Sequence, residues 1–202
     1  MKLFRFAVLI LLVATLVGVT GCAKRTVTRV ETDTTIDLSG RWNDTDSRLV
    51  SEEMIRDCLN HPWLTQHLTS AGKKPALIVG VVRNRTTEHI PVGTFIKDIE
   101  RAMVNAGAVA VVASAIERSD VRDERDDQER FASEETAKAF GLEHGADYML
   151  SGEMNSITDA DDGKQVLFYQ VDLTLIDVRT NAKVWLGQKK IKKFVGQGRY
   201  EP

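Results

Sequence analysis

Two apolar runs on either side of an amphipathic segment constrain the fold more than any other feature of this sequence. Residues 76–82 and 109–115 are rich in Val and Ala, which is typical of strands buried on both faces. The segment between them predicts a helix that begins near Thr94 and ends at Gly107. Its apolar stripe consists of Ile96, Ile99, Met103 and Ala106. A strand, a helix and a strand in this order predict a βαβ unit with a right-handed parallel crossover.

The C-terminal part of the chain predicts an antiparallel meander. Its strands are residues 148–157, 166–178 and 183–191, and residues 159–164 and 179–182 are the turns that join them. Side chains alternate along the middle strand, so that one face is buried and the other is wet. The buried set is Tyr169, Val171, Leu173 and Leu175, and the wet set is Phe168, Gln170, Asp172 and Thr174.

Helical patterns account for most of the remaining chain. The first helix has an apolar stripe made of Val50, Met54, Ile55, Cys58 and Leu59. Its candidate N-caps are Asp44, Thr45 and Asp46. A short helix runs from Pro62 to Gly72, residues 120–130 form a charged, solvated helix, and another helix begins at Ser133. The predicted fold class is therefore α/β, a mixed β-sheet with helices packed on it and a C-terminal antiparallel meander.

The N-terminus has the parts of a lipoprotein signal. A basic n-region precedes an uncharged apolar run over residues 6–19, and residues 19–22 resemble a bacterial lipobox that ends in Cys22. The apolar run is shorter than the ~20 residues that span a bilayer as a helix. We therefore predict that residues 1–21 are a signal peptide and that Cys22 is lipidated.

The residues after Cys22 predict where the protein resides. Ala23 replaces the aspartate that retains lipoproteins in the inner membrane of diderm bacteria, so we expect a lipid anchor in the outer membrane that faces the periplasm. Residues 22–39 lack periodicity and predict a tether, and residues 40–202 predict one periplasmic domain. Loss of Lys2 and Arg5 with the signal leaves 25 basic side chains against 29 acidic ones, which gives no reason to expect nucleic-acid binding.

No constellation of residues predicts a metal, a cofactor or a catalytic centre. The histidines are scattered, at His61, His67, His89 and His144. The aspartates of residues 159–163 resemble a calcium loop, but Gln170 stands where a glutamate is needed. Ser70 and Lys73 have the Ser-x-x-Lys spacing without its accompanying motifs. Cys58 has no disulfide partner once Cys22 is acylated, and its stripe position predicts an inert core thiol.

Four segments, taken in order, resemble a known family. They are DLSGRWNDTDSR at residues 37–48, GADYMLSGE at residues 145–153, VDLTLID at residues 171–177, and Val184-Trp185. In sequence and spacing they resemble the LpoB-like family, outer-membrane lipoprotein activators of penicillin-binding proteins. The resemblance implies a fold similar to the N-terminal domain of TolB. It also implies a protein that is not an enzyme, binds the non-catalytic docking domain of a class A penicillin-binding protein, and stimulates peptidoglycan synthesis.

The tether departs from that family, and other functions stay open. The best-known members have a long, proline-rich linker, whereas residues 22–39 are few and contain no proline. The main alternative is a structural lipoprotein of a curli-secretion or flagellar-type assembly, which we expect to be a multimer, whereas an activator should be a monomer. A cell-wall hydrolase is a further alternative, but no nucleophile, base and orienting group converge in the sequence.

Two groups of residues are candidates for contact with a partner. Trp42 and the arginines Arg41, Arg83 and Arg85 are residue types that anchor interfaces, although the Trp42 ring is equally suited to packing into the domain. The C-terminal strand adds a basic group that consists of Lys189, Lys190, Lys192 and Lys193. These lysines either attract an acidic partner or guard an exposed strand edge against aggregation.

Overall fold

The computed structural model describes residues 26–131 and 143–196, and the chain divides into two compact units at Thr34. In the first unit, residues 26–34 contain no helix or strand, and Thr34 N donates to the Glu31 carbonyl at 3.1 Å. The predicted signal peptide, Cys22 and the helix predicted from Ser133 lie outside the described residues. Within the described ranges, no helix has the length and apolar character that a membrane crossing requires.

The second unit, which begins at Thr35, contains a mixed five-stranded sheet. The strands are β1 (Ala76–Asn84), β2 (Ala110–Val112), β3 (Tyr148–Asp161), β4 (Lys164–Asp177) and β5 (Lys183–Val195). Their order across the sheet is β2-β1-β3-β4-β5. β1 runs parallel to β2 and to β3, whereas β3, β4 and β5 form an antiparallel meander. The predicted α/β class, parallel βαβ unit and meander are therefore confirmed, while the similarity to TolB stays a prediction.

Four helices are described, and the first three of them cover one face of the sheet. They are α1 (Asp44–Asn60), α2 (Pro62–Ala71), α3 (Val92–Ala106) and α4 (Ala115–Phe131). The core joins apolar side chains of α1, α2 and α3 to one set of alternating side chains from the strands. The predicted stripe of α1 is confirmed, because Val50, Met54, Ile55 and Cys58 are all buried. α4 buries no side chain, as predicted for a solvated helix.

Helix starts differ from the sequence prediction. α1 is capped by Asn43, not by Asp44, Thr45 or Asp46: Asp46 N donates to the Asn43 side chain and Asn43 N donates to the Asp46 carboxylate, both at 3.0 Å. This reciprocal capping box uses Asp46 as its third helical residue, which a search for a lone cap does not anticipate.

The apolar stripe of α3 also differs from the prediction. The helix begins at Val92, and its buried residues are Phe95, Ile99 and Met103. Phe95 precedes Ile99 by one turn and is fully buried, whereas Ala106 is exposed. The predicted stripe was therefore displaced toward the C-terminal end of the helix.

The second apolar run is much shorter as a strand than predicted. β2 contains three residues, all half-buried, and the chain enters α4 at Ala115. β2 pairs only with β1 and is an edge strand, so the prediction of a strand buried on both faces was wrong. The apolar character of the run is used differently: Val109, just before the strand, packs into the core.

The turn between β3 and β4 is tighter than predicted. The strands continue to Asp161 and from Lys164, and only Asp162 and Gly163 lie between them. Both turn residues have positive φ angles, 43° and 71°, as a two-residue hairpin turn of type I′ requires. This geometry accounts for the aspartates and the glycine that resemble a calcium loop.

Replacement of Cys58 tests the core. Cys58 is fully buried on α1, and burial raises the pKa of its thiol to about 12. We expect Cys58→Ser to lower the free energy of unfolding by about 1–3 kcal/mol, because the hydroxyl is buried without an equivalent partner. Urea unfolding measures this, with Cys58→Ala as the control for lost volume. Serine should be the less stable of the two, and a serine variant as stable as wild type would contradict the buried position.

Candidate partner-binding surface

The sheet has a second face, on the side away from α1, α2 and α3. On β4, the side chains of residues 167, 169, 171, 173 and 175 point into the core, and the intervening side chains are half-buried on the other face. Cross-strand register carries this alternation to β3 and β5, since Met154 pairs with Val171 and Leu175 pairs with Trp185. We call the side without α1, α2 and α3 the open face.

A polar belt crosses the middle of the open face. Register aligns Arg83 of β1 with Glu153, Glu153 with Asp172, and Asp172 with Gln188. Gln188 Nε2 and Gln170 Nε2 each donate to the Asp172 carboxylate at 2.8 Å. These two bonds hold Asp172 in place across strands, so the belt presents ordered polar groups.

Apolar side chains adjoin this belt on the open face. Ile157 of β3 pairs with Phe168 of β4, and the next row brings Val166 beside Phe194 of β5. Ile157 is 66% exposed and Phe194 is 68% exposed. Adjacent exposed apolar groups of this size, with a polar belt beside them, are typical of a protein-binding surface.

The predicted partner-binding residues divide between the two faces. Arg83 and Arg85 are exposed at the end of β1, where Arg85 Nε lies 3.9 Å from Glu153, and Lys190 and Lys192 are exposed on the open face. Lys189 and Lys193 lie on the helix-covered face, because successive strand residues point to opposite sides. The four lysines therefore do not form one patch.

Lys189 and Lys193 both pair with acidic groups of the fold. Lys189 pairs with Glu53 of α1. Lys193 Nζ donates to Asp46 at 2.7 Å and to Asp37 at 2.8 Å, and its side chain is only 13% exposed. Removal of one member of a buried charge pair costs about 3–5 kcal/mol because the other charge is left buried without a partner, so the fold requires Lys193 and Asp46 together.

The Lys193 cluster stays charged over a wide pH range. Burial lowers the pKa of Lys193, but its hydrogen bonds to Asp37 and Asp46 outweigh this effect and hold that pKa above its ordinary value. Hydrogen bonds from Lys193 and Asn43 hold the pKa of Asp37 below its ordinary value. The stabilisation linked to the shifted pKa values of Asp37 and Lys193 is thus complete above pH 3.8 and below pH 10.5, the ordinary values for aspartate and lysine, and it is lost only outside that window.

The segment before α1 is bound to the sheet, and we call residues 36–43 the strap. Gly40 has a φ angle of 69°, and a Cβ atom there would overlap a methyl group of Val195 and lie 3.0 Å from Leu167. Asp37 is held by Lys193, and the Asn43 side chain donates to Asp37 at 2.6 Å. The strap therefore fastens the start of α1 to the ends of β4 and β5.

Trp42 completes the strap from inside the domain. Its ring meets Tyr169 edge-on at 5.6 Å and Phe95 at 6.4 Å, and its Nε1 donates to Ser47 at 2.8 Å. Aromatic pairs of this kind contribute about 0.5–1.5 kcal/mol beyond area burial. Of the two interpretations that the sequence left open for Trp42, the geometry supports packing.

The backbone of Trp42 also reaches residues that sequence reasoning missed. Trp42 N donates to Tyr169 Oη at 3.1 Å, and Tyr169 Oη donates to Glu88 at 2.5 Å. Burial and this bond to Glu88 raise the pKa of Tyr169. A tyrosine among the purely apolar core positions of β4 was the available signal for Tyr169, whereas Glu88, in the loop after β1, had none.

At the end of the sheet opposite the strap, a cleft contains a histidine that contacts a tyrosine and has a buried ring nitrogen without a partner among the described residues. His67 of α2 lies 3.1 Å from Tyr148 Oη through Nδ1, and its Nε2 is buried without a partner among the described residues. Burial raises the pKa of Tyr148. The described ranges hold no group of three or more His, Cys, Asp or Glu side chains that would bind a metal ion.

The strap can be tested with two glycines of similar backbone conformation. Gly40→Ala and Gly72→Ala both place a side chain at a positive φ, which costs about 1–2 kcal/mol. Gly72 has open space around its Cβ position, whereas Gly40 faces Val195 and Leu167. We expect Gly40→Ala to lose roughly 1–3 kcal/mol more stability than Gly72→Ala, because overlap is added to backbone strain. Urea unfolding measures the difference, and equal losses would contradict the close packing of the strap.

Known structures resemble the chain at low identity. The C-terminal domain of LpoB from Escherichia coli is 17% identical with a TM-score of 0.36, over 71% of this chain and 98% of that one. Lipoprotein GNA1162 from Neisseria meningitidis is 16% identical with a TM-score of 0.38, over 62% and 88%. The PelC dodecamer from Paraburkholderia phytofirmans is 21% identical with a TM-score of 0.31, over 62% and 76%. No curated protein matches the chain.

A family comparison covers most of the chain. The model of the peptidoglycan-synthase activator LpoB matches residues 46–191, from the first turn of α1 into β5. The match includes three of the four segments that carried the resemblance and part of the first. The chain therefore belongs to the LpoB family of peptidoglycan-synthase activators.

Proposed function

We propose that this chain is an outer-membrane lipoprotein that binds and activates a class A penicillin-binding protein through that enzyme's non-catalytic docking domain. The observation that carries the proposal is the family match over residues 46–191, which spans nearly all the described helices and strands of the second unit. An activator of this kind acts by binding, so its function depends on a surface and not on a catalytic centre.

The open face is the surface we assign to the synthase. Arg83, Arg85, Lys190 and Lys192 are exposed at it, beside the apolar group that contains Ile157 and Phe194. Charged groups around an apolar centre guide association and define register. Trp42, Lys189 and Lys193 are engaged within the fold, and Arg41 belongs to the strap and not to a strand of the open face, so we leave these four out of the surface.

The candidate nucleophiles support a regulator without chemistry of its own. Cys58 is buried and its thiol pKa is raised to about 12, so little thiolate exists at neutral pH. Ser70 Oγ donates to the His67 carbonyl within α2, at 3.1 Å, and not to a lysine or a histidine side chain. Neither residue is poised as a nucleophile, which agrees with a binding protein.

The tether imposes a limit on how the activator meets its partner. The strap begins at Ile36, so residues 23–35 form the part of the proposed tether outside it and span at most about 45 Å when extended. A partner in the inner membrane must then project its docking domain toward the outer membrane. We propose that this projection, and not a long linker, brings the two proteins together.

Lipidation can be tested in cells. We expect Cys22→Ser to abolish incorporation of a clickable fatty acid, because only the thiol sulfur accepts the diacylglyceryl group. The measurement is fluorescence of the labelled, purified protein, with Cys58→Ser as the matched control that should label normally. Equal labelling of the Cys22→Ser variant would contradict the lipoprotein proposal.

Activation can be tested with purified components. We expect the chain without residues 1–22 to raise the glycan-polymerising rate of its class A synthase and to leave peptidoglycan intact when it is alone. The measurement is consumption of labelled lipid-linked precursor with and without the chain. Peptidoglycan cleavage by the chain alone would favour a hydrolase. A stable multimer with no stimulation would favour a structural role in an assembly.

A further inference from the structure

The outer edge of β5 is a long row of backbone groups without a strand beside it. β5 pairs with β4 in regular register from Trp185 to Val195, and no other described strand pairs with it. Alternate residues of an edge strand direct their N–H and C=O groups away from the sheet. β5 therefore offers a hydrogen-bonding template of about eleven residues.

Two of the devices that normally block a strand edge, proline and a short strand, are absent along this one, and its exposed lysines repel only a segment that is also basic. β2, the opposite edge of the sheet, has only three residues, which is itself protective. β5 has thirteen residues and contains no proline, and its register with β4 is irregular only near its first residues. Lys189 and Lys193 are paired with acidic groups on the covered face, which leaves Lys190 and Lys192 as the lysines exposed on the other face of this edge strand.

The open-face side chains of β5 indicate what would fit beside it. Leu186 and Phe194 are 67% and 68% exposed, and Lys190 and Lys192 lie between them. Within the described ranges, neither of these two lysines has an acidic partner. Asp172, the nearest carboxylate in register, accepts from Gln170 and Gln188 instead. Two free positive charges flanked by apolar groups match a strand that is acidic in the middle and apolar at both ends.

We propose that the outer edge of β5 binds an extended, acidic segment of another protein, which adds to the sheet as a sixth strand. Backbone hydrogen bonds to β5 supply affinity, and carboxylates beside Lys190 and Lys192 select the segment and its register. A second copy of this chain is a poor occupant, because antiparallel pairing of two β5 edges brings their lysines together. The inference goes beyond synthase activation and does not depend on it.

The test uses a designed peptide and the chain without residues 1–22. The probe alternates valine with aspartate at its centre and has leucine near both ends. One control peptide replaces aspartate by lysine, and another keeps the sequence but carries N-methyl groups on alternate backbone amides. We expect only the first peptide to shift the backbone amide signals of residues 185–195 in the NMR spectrum. Binding of the N-methylated peptide with equal affinity would overturn strand addition.

Variants of the exposed lysines test selectivity. We expect Lys190→Glu with Lys192→Glu to weaken binding of the acidic peptide by roughly tenfold, because two attractions become repulsions. The matched control is Lys73→Glu with Lys74→Glu, two exposed lysines before β1 that should leave affinity unchanged. Both pairs of lysines are on the surface, so we expect both variants to fold. A dispersed NMR spectrum of each variant verifies this. Unchanged affinity in the Lys190 and Lys192 variant would overturn the proposal.

Two further measurements separate the other occupants. Sedimentation reports whether the chain dimerises, and vesicles of phosphatidylethanolamine with phosphatidylglycerol report binding to an anionic membrane. We expect a monomer that binds the peptide in preference to vesicles. A dimer lost in the Lys190 and Lys192 variant, or vesicle binding that shifts the same β5 signals more strongly than the peptide, would overturn the assignment to a protein segment.

Discussion

Burial of only one face of the sheet is the constraint on which the rest of the structure depends. β4 is central to the meander, and Tyr169, Leu173 and Leu175 on its covered face are almost completely buried. Because side chains alternate with a period of two, a slip of one residue would exchange the covered and open faces of β4. The hydrophobic cost of that exchange sets the register of both neighbouring strands, and with it the identity of every side chain on the open face.

The same parity decides what each basic residue of β5 does. Lys193 and Lys189 point toward α1 and the strap. Lys193 pairs there with Asp46 and Asp37, and Lys189 pairs with Glu53. Lys190 and Lys192 point the other way and find no acidic group among the described residues. Neighbours in sequence thus have different surroundings: one pair contacts the fold, and the other is the pair that we propose for recognition. A variant that reverses all of them at once would remove the Lys193 contacts with the strap together with any contact to a partner.

Local sequence patterns predicted which residues of a helix or strand are buried, but they did not predict contacts between residues far apart in the chain. Alternation along β4 and the stripe of α1 were predicted from sequence, since each face is defined by residues two to four apart. The length of β2 was not, because an edge strand ends where its neighbour and the following helix allow. The hydrogen bonds from Lys193 to Asp46 and from Tyr169 to Glu88 join residues far apart in sequence, so no motif spacing predicts them. The sequence predicted the residue types of the candidate surface. It did not predict that they divide between two faces, because that division follows from the strand register in the sheet.

The strap changes the meaning of the segment that carried the first resemblance. Asp37, Gly40, Trp42 and Asn43 each have a contact within the fold, so this segment has a structural role in fastening the start of α1. In our proposal, recognition of a partner depends instead on the open face, where side chains are not part of the core. β5 therefore holds the strap through Lys193 on its covered face, and in our proposals it meets a partner through Lys190 and Lys192 on its open face.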